Sequence, residues 1–291
     1  MSVLARVRTY GSLVAFAHTV FAMPFAASAV VLSLAVPHEP LTVLRVVAMV
    51  VSMVCARTSA MAFNRWADRD VDAKNPRTRV RHVPAGTVRA GEALALAVVS
   101  GLAFLAVAAT LGFWPAVLAP AVLAVLLGYS YAKRFTWGAH AWLGVALSLA
   151  PGGAWLAMGA RPGAGIVCLM AAVVTWLLGF DVLYSLQDED FDRTEGLRSI
   201  PARFGRQRAM AISASAHVVT VLALGACGLA LGRGPAYALA VVVAAALLVY
   251  EHSLVRRKGL AAIDKAFFDV NAWVSVLFFV LVLIDELVRR R

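Results

Sequence analysis

Residues Val43 to Asp72 read VLRVVAMVVSMVCARTSAMAFNRWADRDVD. Up to Trp66 the residues are apolar or small apart from Arg45, Arg57, Thr58, Asn64 and Arg65; the last five then carry Asp68, Asp70 and Asp72. A helix needs about 20 predominantly apolar residues to cross a bilayer. The stretch therefore predicts a transmembrane helix that ends in carboxylates. Outward from it the same kind of run recurs, giving nine predicted spans at 12–35, 43–66, 92–112, 114–133, 140–159, 164–187, 207–231, 235–254 and 267–287. Pro and Gly mark the short loops, as in Gly112-Phe113-Trp114-Pro115 and Gly232-Arg233-Gly234-Pro235. Open strands cannot satisfy their backbone in lipid, and nothing here alternates like a barrel. The expected fold is all-α, a polytopic membrane bundle of about nine helices forming one domain over 1–291.

Composition agrees. The chain is 62% hydrophobic with a mean hydropathy of +0.81, where soluble proteins run nearer half apolar. Twenty-seven Lys and Arg against 16 Asp and Glu leave a net charge of +11. In a soluble protein that excess would suggest nucleic acid. Here the charges lie in short stretches between apolar runs, so they read as cytoplasmic loops, with the lipid bilayer and no nucleic acid as partner. The basic stretches are 65–90, 193–208, Lys133 with Arg134, and Arg256 to Lys258. They put the N-terminal Arg6 and Arg8 inside too, in a multi-pass protein of the inner (plasma) membrane. Nine spans would leave Arg289, Arg290 and Arg291 outside, against the rule. The run that starts near Tyr10 lacks a clear cleavage site and reads as a retained helix. Cys55, Cys168 and Cys227 have no ligand or disulfide spacing and read as small buried hydrophobes.

Two constellations carry chemistry. Asn64, Asp68 and Asp72 are spaced at four residues; on a helix each step turns only ~40°, so the three share a face. Oxygen groups crowded there repel one another unless a cation lies between them. A hard ion suits such donors, and Mg²⁺ held jointly with substrate phosphates is the usual outcome. The second cluster is Asp181, Asp188 and Asp192, which on a continuous helix fall within ~40° of each other. Asp181 lies inside an apolar run, and an intramembrane carboxylate is a functional hypothesis by default. The two clusters follow spans four helices apart, which suggests pseudo-repeats with the active site facing the cytoplasm. Arg57, seven residues before Asn64, is deeper. It either pairs with Asp181 or holds an anionic substrate group bidentately. Lys74 and Arg77 follow the first cluster, and Lys133, Arg134 and Arg198 lie in the other cytoplasmic loops. These either clamp phosphate oxygens or serve only topology.

The Asn64-x-x-x-Asp68-x-x-x-Asp72 cluster, the Asn75-Pro76-Arg77-Thr78 loop and the second Asp-rich cluster resemble the UbiA superfamily of intramembrane prenyltransferases. The resemblance covers the whole chain in motif order. Within it, Tyr131-x-Lys133-Arg134-Phe135-Thr136 and the run from Gly179-Phe180-Asp181 through Tyr184, Gln187 and Asp188 to Phe191-Asp192 resemble 4-hydroxybenzoate polyprenyltransferases, including the subgroup of the futalosine route to menaquinone. The resemblance implies nine helices, Mg²⁺, a polyprenyl diphosphate donor and an aromatic acceptor such as 4-hydroxybenzoate. It implies metal binding by Asn64, Asp68, Asp72, Asp188 and Asp192, with Asp181 a deeper catalytic carboxylate. Tyr184 is a candidate to face an allylic cation. The same chemistry on 1,4-dihydroxy-6-naphthoate is the nearer alternative. A transporter is the remote one, since transporter sites lie at the midplane and these carboxylates gather at one membrane face. No feature demands a macrocyclic acceptor.

Overall fold

The structure, a computed structural model, describes Leu13 and residues 19–291. The start of the first predicted span, with Arg6, Arg8 and Tyr10, lies outside the described residues. Among those described every regular element is helical. The long helices are α1 (Thr19–Ser33) and α2 (Val43–Ala67), with the short α3 (Arg69–Lys74) behind it. Then come α4 (Ala90–Ala109), α5 (Phe113–Phe135), α6 (Ala139–Ala157) and α7 (Ala164–Ser185). A 3₁₀ turn (Leu186–Asp188) and the short α8 (Glu189–Thr194) lead to α9 (Ile200–Ala230), α10 (Pro235–Lys258) and α11 (Asn271–Arg289). Among the described residues there are nine long helices, one in each predicted span, and seven of them are long and apolar enough to cross a membrane. The other two are α1 and α6. Side chains such as Val43, Phe113 and Leu229, at least 70% exposed, suit lipid. Of the three cysteines only Cys227 is fully buried; Cys55 and Cys168 are half-buried, and all three are free thiols.

Local chemistry sets the helix ends. Thr42 caps α2, its hydroxyl accepting the Arg45 N–H at 3.2 Å. Glu92 folds back onto the Arg89 N–H at 2.9 Å to start α4. Pro235 stands in the first turn of α10, where its missing N–H is no loss. Within α9, Gly205 adopts φ +76° and ψ 164°, breaking the helix into a short first piece and a long one. That geometry is open to glycine and strained for other residues. The predicted span began at 207, just beyond this break.

The chain divides into two compact units. Of the described residues, one comprises 41–131 with Leu13 and Thr19, the other 20–40 and 132–291, so that α5 passes from the first to the second. In the first unit α2 packs on α4, with the Ser59 hydroxyl donating to the Ala97 carbonyl at 2.8 Å, and Leu13, Ala62, Val88 and Ala97 bury together. In the second unit α7 is central, flanked by α6 and α9. Trp176 of α7 is 1% exposed and meets Phe25 of α1 at 4.9 Å and Phe180 at 5.1 Å between ring centroids. Its indole N–H donates to Asn271 Oδ1 at 2.8 Å, and Asn271 Nδ2 donates to Glu251 Oε1 at 2.7 Å. A polar chain thus links α7, α11 and α10 through an apolar core, with both ends of the Asn271 amide bonded. At another end of this unit Arg233, buried before α10, bonds Glu286 Oε2 at 2.5 Å and the Leu32 carbonyl at 3.0 Å. Asp285 of α11 accepts the N–H groups of Gly234 and Tyr237, both at 3.2 Å, and so caps α10 from outside.

Candidate active site

In the first unit, α2 ends at Ala67 and Asp68 adopts φ −94°, ψ 3° between α2 and α3. The helical bonds nevertheless continue, Asp68 N–H to Asn64 O at 2.9 Å and Asp72 N–H to Asp68 O at 2.7 Å. The four-residue spacing therefore keeps its meaning, and Asn64 Nδ2 donates to Asp68 Oδ2 at 2.7 Å and to Ser130 Oγ at 3.4 Å. Asp72 is 5% exposed. Arg81 Nη1 reaches both its oxygens, at 2.8 and 2.9 Å. Between them the Asn75-Pro76-Arg77-Thr78 stretch makes a tight turn. Asn75 Oδ1 accepts the Arg77 N–H at 2.9 Å, and the Thr78 hydroxyl donates to the Asp72 carbonyl at 3.2 Å. Lys74 ends α3 in an exposed position, Arg77 is half-buried in the turn, and Arg57 is half-buried in α2, about two turns before Asn64. In the loop His82 is pushed to a lower pKa by burial, then by the nearby Arg65 charge.

The second unit repeats this arrangement. Asp188 adopts φ −103°, ψ 5° just before a six-residue helix, as Asp68 does, and neither carboxylate is spent on capping. Asp192 is the fourth residue of α8, as Asp72 is of α3. It is 2% exposed, and Lys133 Nζ bonds its Oδ2 at 3.2 Å. The sequence-based expectation of one helical face through Asp181, Asp188 and Asp192 needs correction. The α-helix stops at Ser185 and a 3₁₀ turn intervenes, so angles counted at 100° per residue do not carry across. Asp181 belongs to α7; Asp188 and Asp192 belong to the turn and α8.

Arg198 fastens its own loop. Its N–H donates to the Lys133 carbonyl at 2.7 Å and its Nη1 to the Phe135 carbonyl at 2.6 Å, while Arg134 beside them is exposed. Tyr184 packs on the apolar cluster of Val182, Leu183, Ile200 and Leu254. Two residues that sequence reasoning did not single out hold the carboxylates. One is Arg81, hidden among neighbouring arginines. The other is His140, fully buried at the start of α6, whose Nδ1 lies 2.6 Å from Asp181 Oδ2.

Among the described residues no three His, Cys, Asp or Glu side chains gather tightly enough to enclose a metal by themselves. What each unit offers is a carboxylate at a helix break and a second, buried one held by a cation of the chain. Mg²⁺ is commonly bound by one or two carboxylates with substrate phosphates completing the shell, and ligating carboxylates are usually hydrogen-bonded in turn. The donor set fits that ion arriving with a phosphorylated substrate.

A family model, the UbiA prenyltransferase family, matches residues 21–281. The chain is 32% identical over 235 residues to a 4-hydroxybenzoate octaprenyltransferase of Aromatoleum aromaticum, covering 80% of this chain and 78% of that one. A second such relative, from Dechloromonas aromatica, is 33% identical over 246 residues, covering 83% and 81%. The apo structure of a UbiA homolog from Aeropyrum pernix K1 superposes with a TM-score of 0.83 at 32% identity, covering 92% of this chain and 98% of that one. The UbiA homolog of Archaeoglobus fulgidus bound to GPP and Mg²⁺ shares the fold at a TM-score of 0.71, with 18% identity over 94% of this chain and 99% of that one. The chain belongs to the UbiA prenyltransferase family. It is an integral membrane prenyltransferase similar to the 4-hydroxybenzoate octaprenyltransferases.

Proposed function

We propose that this enzyme transfers a polyprenyl group from polyprenyl diphosphate to the ring of 4-hydroxybenzoate, with Mg²⁺, at the cytoplasmic face of the inner (plasma) membrane. The observation that carries this reading is the repeated device of Asp68 with Asp72 and Asp188 with Asp192. Each pair has one carboxylate at a helix break, and the second, buried one is held by Arg81 or Lys133; Asp188 at its break is buried too. The names of the relatives supply the acceptor. Asn64, Asp68, Asp72, Asp188 and Asp192 hold the metal, with Asn64 also steadying Asp68. When bound there, Mg²⁺ would supply positive charge to the diphosphate leaving group. Lys74, Arg77, Lys133, Arg134 and Arg198 add positive charge for the phosphate oxygens. Arg57 holds the acceptor carboxylate at two points, and Tyr184 turns its ring to the allylic cation. The apolar bundle excludes water from that cation, and Asp181 is the remaining catalytic carboxylate. Both units serve one activity, as a single domain.

Membranes containing the protein, incubated with a labelled polyprenyl diphosphate, Mg²⁺ and either 4-hydroxybenzoate or 1,4-dihydroxy-6-naphthoate, test this directly. Prenylated 4-hydroxybenzoate is expected. Transfer only to the naphthoate would reassign the acceptor, and transfer to neither would overturn the reading.

A further inference from the structure

His140 makes two bonds, and together they fix where its hydrogen lies. The Ile200 N–H, the first of α9, points at His140 Nε2 from 3.3 Å. A backbone amide only donates, so Nε2 accepts through its lone pair. A neutral imidazole carries one hydrogen, which must then be on Nδ1. Nδ1 faces Asp181 Oδ2 at 2.6 Å and donates to it. A hydrogen on Nε2 as well would meet the Ile200 N–H head-on. The ring is fully buried, so no water can take either partner's place. His140 is thus a fixed donor, and Asp181 is left an acceptor whose side chain is 15% exposed.

We infer that His140 is a positioning residue that turns the Asp181 carboxylate to receive the proton released by the aromatic acceptor. The inference rests on the prenyl-transfer reading above. In that reaction the electron pair of the allylic C–O bond leaves with the diphosphate. A ring carbon supplies the pair for the new C–C bond. The C–H pair of that carbon returns to the ring as its proton passes to Asp181. Because Nε2 is engaged, the proton stays on the carboxylate instead of moving on to His140, and water at the exposed edge of Asp181 removes it. The histidine contributes orientation, and the aspartate does the chemistry.

Two substitutions separate the bonds of His140. In Asn, Nδ2 sits where His has Nδ1, so His140→Asn keeps the donor to Asp181 and loses the acceptor for Ile200. In Gln, the end group sits where His has Nε2, so His140→Gln keeps an acceptor for Ile200 and loses the donor. His140→Asn is expected to keep kcat within about fivefold, while His140→Gln lowers kcat about 100-fold with both KM values unchanged, in the range for a lost outer partner. Equal activity of the Gln variant and the wild type, or a reversed order of the two variants, would overturn the inference. A second readout needs no turnover and only a folded His140→Asn for assignment. In wild-type protein labelled with ¹⁵N-histidine, the ring nitrogen shifts of His140, assigned by their loss in His140→Asn, must report hydrogen on Nδ1. Hydrogen on Nε2 overturns the inference without any assay. If the wild type prenylates neither acceptor, the functional reading falls and this role falls with it; if the wild type is active and His140→Gln matches it, only the role of His140 falls.

Discussion

At the scale of single residues, the two halves of each carboxylate pair should respond differently to mutation. Asp68 stands at a helix break and caps no helix, and its carboxylate accepts the Asn64 amide at 2.7 Å. For Asp68→Ala turnover is expected to fall more than about 100-fold, beyond what an outer partner contributes, while the stability of the detergent-solubilised protein falls by no more than about 1 kcal/mol. Near-normal turnover in a well-expressed variant would remove Asp68 from the metal site. Arg81→Ala should act through Asp72, lowering activity about 10–100-fold and stability by about 1–3 kcal/mol, because a buried acceptor loses its donor. The metal role of Asp72 fails if that variant keeps full activity. Arg57→Lys tests the acceptor contact. Lysine cannot reproduce a planar two-point grip, so acceptor KM should rise about tenfold, near 1.4 kcal/mol, while donor KM holds. A lowered melting temperature with an unmoved acceptor KM would make Arg57 structural instead.

At the scale of elements, Gly179 shows how closely α7 and α9 approach near the site. A Cβ there would lie 2.2 Å from the ring of His217, a side chain that is itself buried. Gly179→Ala is therefore expected to lower stability by about 1–3 kcal/mol through overpacking, read as a lower melting temperature; an unchanged one would show that His217 moves freely aside. Most of the helices were legible in the sequence because a span is a matter of length and apolarity, and both are local. The span predicted at 207–231 begins two residues past the break at Gly205, but no break in a helix starting at Ile200 was expected there. The end of α7 was not legible. Counting 100° per residue from Asp181 to Asp192 assumes a continuous helix, and the run between them holds no Pro or Gly to say otherwise. The pairing of His140 with Asp181 spans 41 positions and leaves no spacing signal, and a single His opening an apolar run looks like any other buried imidazole. Arg81 was visible only as one basic residue among several.

For the whole molecule, the proposed function has ion and donor substrate bind together, and its test is whether they stabilise the protein together. Exhaustive treatment with EDTA should abolish turnover, and Mg²⁺ should restore it. In thermal unfolding, Mg²⁺ with a prenyl diphosphate is expected to raise the midpoint more than the two separate increments combined. Full activity after chelation would show that the acidic pairs serve something other than a metal. The Arg233 cluster carries a further consequence, for biogenesis. Asp285 and Glu286 belong to the ninth long helix, yet they complete the start of the eighth, and Arg233 ties the end of the first through the Leu32 carbonyl. The bundle therefore cannot be sealed in the order in which it is translated. Until Glu286 has been made and its helix has entered the bilayer, Arg233 has no carboxylate to meet. During that interval the nascent chain carries an uncompensated cation, which favours holding that loop at the water boundary and delays closure to the last step of insertion.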